Sequence, residues 1–198
     1  MPAADPATRT NILDGALAVL HRDGLADLSI RRVASAAGVP LSQVHYHFGS
    51  KQGLLLAVLA RENERLVTRQ AEMYATDAPL WKHWEQACDF YDDDLESGYV
   101  RVLQEMMAAG WSDPEVAAAV RVLLKEWHGL LTGVAERAVV ELGWTIDLSP
   151  TDLATLVTSL WMGAEALQLL GFESHGLELR PVLRSIGRIL RDQEEREV

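Results

Sequence analysis

The chain has 198 residues, 48% of them hydrophobic and 24% charged, enough for one small and one larger domain, each with its own core. Its formal charge of -11 excludes a protein that is basic throughout, and the single cysteine, Cys88, excludes an intrachain disulfide framework. The apolar stretches are too short or too interrupted by Glu165 and Gln168 to span a membrane, and residues 1–14 lack the apolar run of a signal peptide, so a cytoplasmic protein is expected.

The charge is unevenly spread. Residues 1–55 carry five Lys/Arg against four Asp/Glu, a balance of +1, which leaves -12 for residues 56–198. Any attraction of this first segment for phosphates must come from a few placed groups and not from a basic patch.

Apolar residues recur at helical spacing along nearly the whole chain, and Pro and Gly punctuate them, so the fold is predicted to be all-α. The first helix is expected over 6–21, with Asp5 as its cap, Ile12, Leu13, Ala16, Leu17 and Leu20 facing inward, and Gly24 ending it. A second begins at Ser29, a third covers 40–47, and a fourth, opened by Ser50, covers 51–74. Further helices are expected near 79–95, 98–110, 114–142, 150–171 and 178–195. Two of these starts, Ser112-Asp113-Pro114-Glu115 and Ser149-Pro150-Thr151-Asp152, place a hydroxyl three residues before an acid, the pattern of a capping box.

The segment from Leu28 to Lys51 reads as helix, tight turn, helix. Gly38 can take the left-handed backbone that ends the first helix, and Val39 can pack beneath the turn. The following helix carries Ser42, Gln43, His45 and His47 around an apolar line through Val44 and Phe48, so most of its surface needs water or a polar partner. A DNA major groove is such a partner.

Ala37-Gly38-Val39, Tyr46-His47-Phe48 and Ser50-Lys51, at this spacing and this distance from the start of the chain, resemble the N-terminal signature of TetR/AcrR transcriptional regulators. The resemblance covers about Ile12 to Leu59. It implies a three-helix helix-turn-helix DNA-binding domain over residues 1–50 and a larger helical ligand-binding and dimerisation domain over 51–198. The DNA-binding set it implies is Ser29, Arg31, Arg32, Leu41, Ser42, Gln43, His45, Tyr46, His47 and Lys51. Arg31 and Gln43 take base-reading roles, whereas Ser29, Ser42, Tyr46 and Lys51 position phosphates. Arg31 and Arg32 are adjacent and cannot point the same way, so Arg31 is preferred; His47 either contacts phosphate or packs. Two residues depart from the family pattern: Pro40 stands where Ser would cap the reading helix, and His45 where Tyr is common.

The remaining chain gathers large adaptable side chains at helical spacing. Trp84, Cys88, Tyr91, Met106, Met107, Trp111, Trp127 and Trp161, with His128 and Glu165 as polar members, are the expected lining of a pocket for a small apolar or aromatic effector; core packing is the alternative for each. The helices at 150–171 and 178–195 resemble the family's dimerisation pair and imply a homodimer on a near-palindromic double-stranded operator. Repression is the mode implied. No cofactor or metal is called for, since His45 and His47 are two apart on a helix and have no Cys or third His nearby. An enzyme is not expected, as no catalytic or phosphate-binding motif occurs; a small helical enzyme or an acidic helical adaptor without DNA binding is the alternative. The acidic run Asp92-Asp93-Asp94 reads as a solvated face.

Overall fold

The structure is a computed structural model that describes residues 5–141, 143 and 147–197. The described residues form an all-α fold: α1 (Pro6–Asp23), α2 (Ile30–Ala36), α3 (Leu41–Phe48), α4 (Lys51–Tyr74), α5 (Leu80–Glu96), α6 (Tyr99–Gly110), α7 (Pro114–Glu141), α8 (Pro150–Leu169), a 3-10 turn at Phe172–His175, and α9 (Leu179–Glu197). The expected helices are all present, with ends displaced by one or two residues. Leu142, the expected end of the seventh helix, and one tryptophan, Trp144, lie outside the described residues.

The helix ends follow from local chemistry. Asp5 accepts from the Ala7 amide, satisfying a donor that the first turn of α1 would leave bare. Ser29 does the same for α2 through the Arg32 amide, so Ser29 is the cap and Ile30 the first helical residue. At α8 the full capping box forms: the Ser149 hydroxyl accepts from the Asp152 amide while the Asp152 carboxylate accepts from the Ser149 amide. The other expected box does not form. At α7 the cap is Asp113, whose carboxylate accepts from the Glu115 and Val116 amides, while the Ser112 hydroxyl turns back to donate to the Ala109 carbonyl. Asp competes well for a helix N-terminus because its full charge also meets the positive end of the helix dipole.

The chain divides into two compact units, residues 1–64 with 93–120, and residues 65–92 with 121–198. In the first, Ile12, Leu13, Ala16, Val19 and Leu20 of α1 pack with Leu25, Leu28, Val33, Val44, Leu54, Val58 and Leu59. Leu17, expected inside, is only half-buried, and Val19 takes the core position. Tyr99 on α6 donates to the Asn63 side chain at 3.2 Å inside this unit. In the second unit, Met73, Tyr74, Ala87, Cys88, Tyr91, Trp127, Leu131, Trp161, Ala164, Leu183 and Leu190 are buried. No helix of the described residues is long and apolar enough to cross a membrane.

Candidate functional site

The first unit holds the helix-turn-helix. Gly38 has φ +66°, the left-handed conformation, which turns the chain so that the Val39 amide reaches the Ala34 carbonyl at 3.0 Å. Two further glycines, unremarked in the sequence reading, mark close approaches of neighbouring backbone. A β-carbon on Gly15 of α1 would meet the Ala37 backbone nitrogen at 2.8 Å, and one on Gly53 of α4 would collide with the Phe48 carbonyl oxygen. The only hint in the sequence is a glycine inside an otherwise regular helical pattern.

Val44 is the one fully buried residue of α3, so the helix is held by a narrow apolar line. Leu41, Ser42, Gln43, His45 and Tyr46 are exposed. Pro40 precedes α3 with no side-chain cap, as expected from its chemistry. The His45 Nδ1 lies 3.2 Å from the Gly49 carbonyl, an acceptor only, so Nδ1 is the donor of that bond. His47 is half-buried against Tyr46 and Phe48, with its Nε2 buried and unbonded.

Arg31 and Arg32 separate clearly. Arg32 is drawn to Asp23 at 3.3 Å and Asp27 at 3.6 Å, both in its own unit. Arg31 is exposed and has no ion pair among the described residues. Lys51 is exposed at the start of α4, and the Ser29 hydroxyl is occupied as the α2 cap. Gln52, one residue beyond Lys51, donates to Asp113 at 3.0 Å, tying the start of α4 to the start of α7. That bond and the two cap amides hold the Asp113 carboxyl below its usual range.

In the second unit, α5 carries Trp84, Cys88 and Tyr91 at successive helical turns against Trp161 and Glu165 of α8. Trp161 stacks between Trp84 at 5.6 Å and Tyr91 at 5.2 Å. Burial, with a smaller push from Glu165, raises the Tyr91 phenol far above its usual range; its hydroxyl is buried and unbonded. Burial likewise pushes the Cys88 thiol up to about 11, so it behaves as a small apolar side chain. Half of the expected effector-lining residues thus share one cluster.

The others are placed differently. The Trp127 N–H donates to Gln70 at 2.9 Å deep in the core. His128 bonds the Thr155 hydroxyl at 3.0 Å, which itself donates to the Thr151 carbonyl. Met106, Met107 and Trp111 belong to the first unit: Met106 is in its core, Met107 is half-buried, and Trp111 is 86% exposed at the end of α6. A side chain that open to solvent encloses no ligand in its unit, contrary to the expectation for Trp111.

An apolar cavity of about 410 Å³ lies among α4, α5, α7, α8 and α9 of the second unit. Of the expected lining residues only Trp84 reaches it; the remaining walls are aliphatic side chains and Tyr74. A neighbouring cavity of about 240 Å³ shares Leu80, Val134 and Ala138 with it and adds Thr76, Asp77, His83 and Arg137. The acidic run of α5 is not simply solvated. Asp92 meets Arg180 at 3.3 Å and Arg184 at 3.0 Å, and Arg184 also meets Asp89 at 2.8 Å, so α9 supplies the basic companions.

The α2–turn–α3 geometry, with its polar outer face, defines a helix-turn-helix DNA-binding protein carrying a second helical unit. The bacterial regulatory proteins of the tetR family match residues 12–58, the helix-turn-helix and its flanks. Across the longer chain, the transcriptional regulator UidR of Escherichia coli K12 is 26% identical over 161 residues, 77% of this chain and 74% of its own. CymR of Pseudomonas putida, also a transcriptional regulator, is 28% identical over 168 residues, 78% and 80% of the two chains. The fold is that of a TetR transcription regulator from Haloarcula marismortui, with a TM-score of 0.73 at 20% identity over 93% of this chain and 96% of that one. Residues 12–58 thus carry the helix-turn-helix of the tetR family, and over most of its length the chain is similar to helix-turn-helix transcriptional regulators.

Proposed function

We propose that the protein is a homodimeric repressor that two copies hold on a near-palindromic operator and that a small apolar or aromatic molecule releases. The observation that carries this reading is the face of α3, where Ser42, Gln43, His45 and Tyr46 stand exposed around the single buried anchor Val44. Arg31 reads guanine through its two-pronged guanidinium and Gln43 reads adenine; Ser42, Tyr46 and Lys51 set the register on phosphates. His45, exposed on the same face, meets the same duplex. Ser29 supports the site mainly as a cap, and Arg32 chiefly as an internal ion pair.

Residues 1–50 form the reading part and 51–198 the sensing and dimerising part. The dimer face lies on α8 and α9, where Val182 (61% exposed) and Ile189 (66% exposed) are large apolar side chains left in solvent by a single chain. The apolar cavity of about 410 Å³, whose wall includes Trp84, offers space to such an effector. Release requires that the effector bind better to a dimer geometry that misfits the operator than to one that fits it.

The test is selection of the purified chain against random duplex DNA at moderate salt, where non-specific phosphate binding is weak. One near-palindromic site should be enriched, with half-sites about one helical turn, ~34 Å, apart. Absence of any enriched sequence would overturn the reading.

A further inference from the structure

We propose that Arg9 of α1, held over the ring of Phe48, forms with Lys51 a phosphate-binding site at the C-terminal end of the reading helix, and that its ligand is the DNA backbone whatever the base sequence. The inference rests on the reading of α3 as the helix that enters the duplex. It adds a contact from α1, which lies outside the helix-turn-helix pattern and outside the set of residues read from it.

The ion pairs of the first unit decide which of its cations are available. Residues 1–55 carry five Lys/Arg and four Asp/Glu. Arg22 is paired with Asp23 at 2.7 Å, and Arg32 with Asp23 and Asp27. The remaining acids are committed too: Asp5 accepts from the Ala7 amide and the Thr8 hydroxyl, both at 3.1 Å, and Asp14 accepts from Arg61 at 2.8 Å. Arg9, Arg31 and Lys51 are left exposed, with no ion pair among the described residues. The small balance of this segment therefore contains three cations that no acid neutralises, and a few placed groups of this kind are what phosphate attraction requires.

Arg9 is held in place as well as unpaired. It stands in the first turn of α1, where the positive end of the helix dipole favours an acid, and that turn contains none. Its guanidinium carbon lies 5.5 Å from the centroid of the half-buried Phe48 ring, within cation–π range. An aromatic face steadies a guanidinium without neutralising it, so the full charge and the forked N–H donors stay available to a phosphate. Phe48 is the last residue of α3 and Lys51 the first of α4, so Arg9 and Lys51 stand at the same end of the reading helix, whereas Arg31 belongs to α2. Two cations at that end read no base; they fix where α3 sits along the backbone.

The experiment titrates the full chain against two short duplexes, one carrying the site enriched by selection and one with that site scrambled, across about 50–200 mM salt. Arg9→Ala should weaken binding to both alike, about tenfold at the low-salt end, and leave the ratio of the two affinities unchanged. The slope of log affinity against log salt should fall by about 0.9 for each copy bound, or about 2 for a pair. Arg9→Lys keeps the charge and loses the flat fork, so it should keep the parent's slope with only part of its affinity. Arg22→Ala makes the same change in net charge on the same helix, but at a residue already held by Asp23, and should leave the slope as in the parent. An Arg9→Ala slope equal to the parent's would overturn the proposal. So would an equal fall for Arg22→Ala, which would assign the effect to net charge, and so would a loss confined to the enriched site, which would make Arg9 a reader of bases. In all three the parent still binds its site, so the reading of α3 stands; a parent with no enriched site and no salt-dependent binding would remove both.

Discussion

Gly15 of α1 and Ala37 of the helix-turn-helix turn are packed so closely that a β-carbon on Gly15 would stand 2.8 Å from the Ala37 backbone nitrogen and 2.9 Å from its β-carbon. Backbone cannot swing aside as a long side chain can, so Gly15→Ala must move the turn that orients α3. The expected cost is about 1–3 kcal/mol of stability, with weaker operator binding by the protein that remains folded. Gly129, in the exposed middle of α7, has nothing within 4 Å of the same position, and Gly129→Ala should stabilise by about 0.5–1 kcal/mol through helix propensity alone. Thermal melting and operator titration of the two variants test the contrast. Equal behaviour would mean that Gly15 has no part in setting the turn.

Arg31 and Arg32 should differ in the same assays. Arg31→Ala leaves no partner stranded among the described residues, so stability should hold while operator affinity falls by about 1–3 kcal/mol and discrimination relaxes at one base pair. Arg32→Ala breaks exposed pairs with Asp23 and Asp27, worth about 0–1 kcal/mol after solvent screening, and should affect the operator less. Titrations against the operator and a single-base variant separate the roles. A larger operator loss for Arg32→Ala would reverse the assignment.

The helix-turn-helix was legible because its information is local. Gly38, the single buried anchor Val44 and the polar residues around it are readable within one stretch of chain, as are caps such as Asp5 and Ser149. The second unit was less legible because apolar helices announce that they are buried without saying against what. Trp84 and Trp111 look alike in sequence, yet one lines a cavity and the other stands in solvent. Asp92 looked solvated because its partners Arg180 and Arg184 lie about ninety residues away in the chain. Ser112 lost its cap to Asp113, whose additional partner Gln52 is 61 residues distant.

The α5–α9 ion pairs give a salt-dependent prediction. Arg184 joins Asp89 and Asp92, Arg180 adds Asp92 and Glu173, and Arg191 meets Glu85 at 2.8 Å while lying over the Trp81 ring at 4.1 Å. The Arg184 side chain is 39% exposed, so its pairs are partly screened and Arg184→Met should cost only about 0.5–1 kcal/mol. The cost should shrink as salt rises, because screening removes from the parent what the substitution has already removed from the variant. Melting curves of both proteins across a salt series provide the measurement; a difference independent of salt would assign the loss to packing of the aliphatic stem instead.

Acid should loosen the helix starts in a defined order of cause. Asp113 is held below its usual value first by Gln52 and then by the Val116 and Glu115 amides, and Asp152 first by the Ser149 hydroxyl and then by the Ser149 amide. A carboxyl whose folded value is depressed stabilises the fold fully above its unfolded value, near the ordinary 3.8, and that contribution disappears as the pH falls through the lower folded value. Gln52→Ala removes the largest cause at Asp113 and Ser149→Ala the largest at Asp152. Each variant should therefore melt below the parent at about pH 6, and the gap should narrow only once the pH drops below the ordinary carboxylate range. If the gap instead stays constant into acid, the two side chains stabilise the helices through neutral packing and the carboxylates are not their partners in solution.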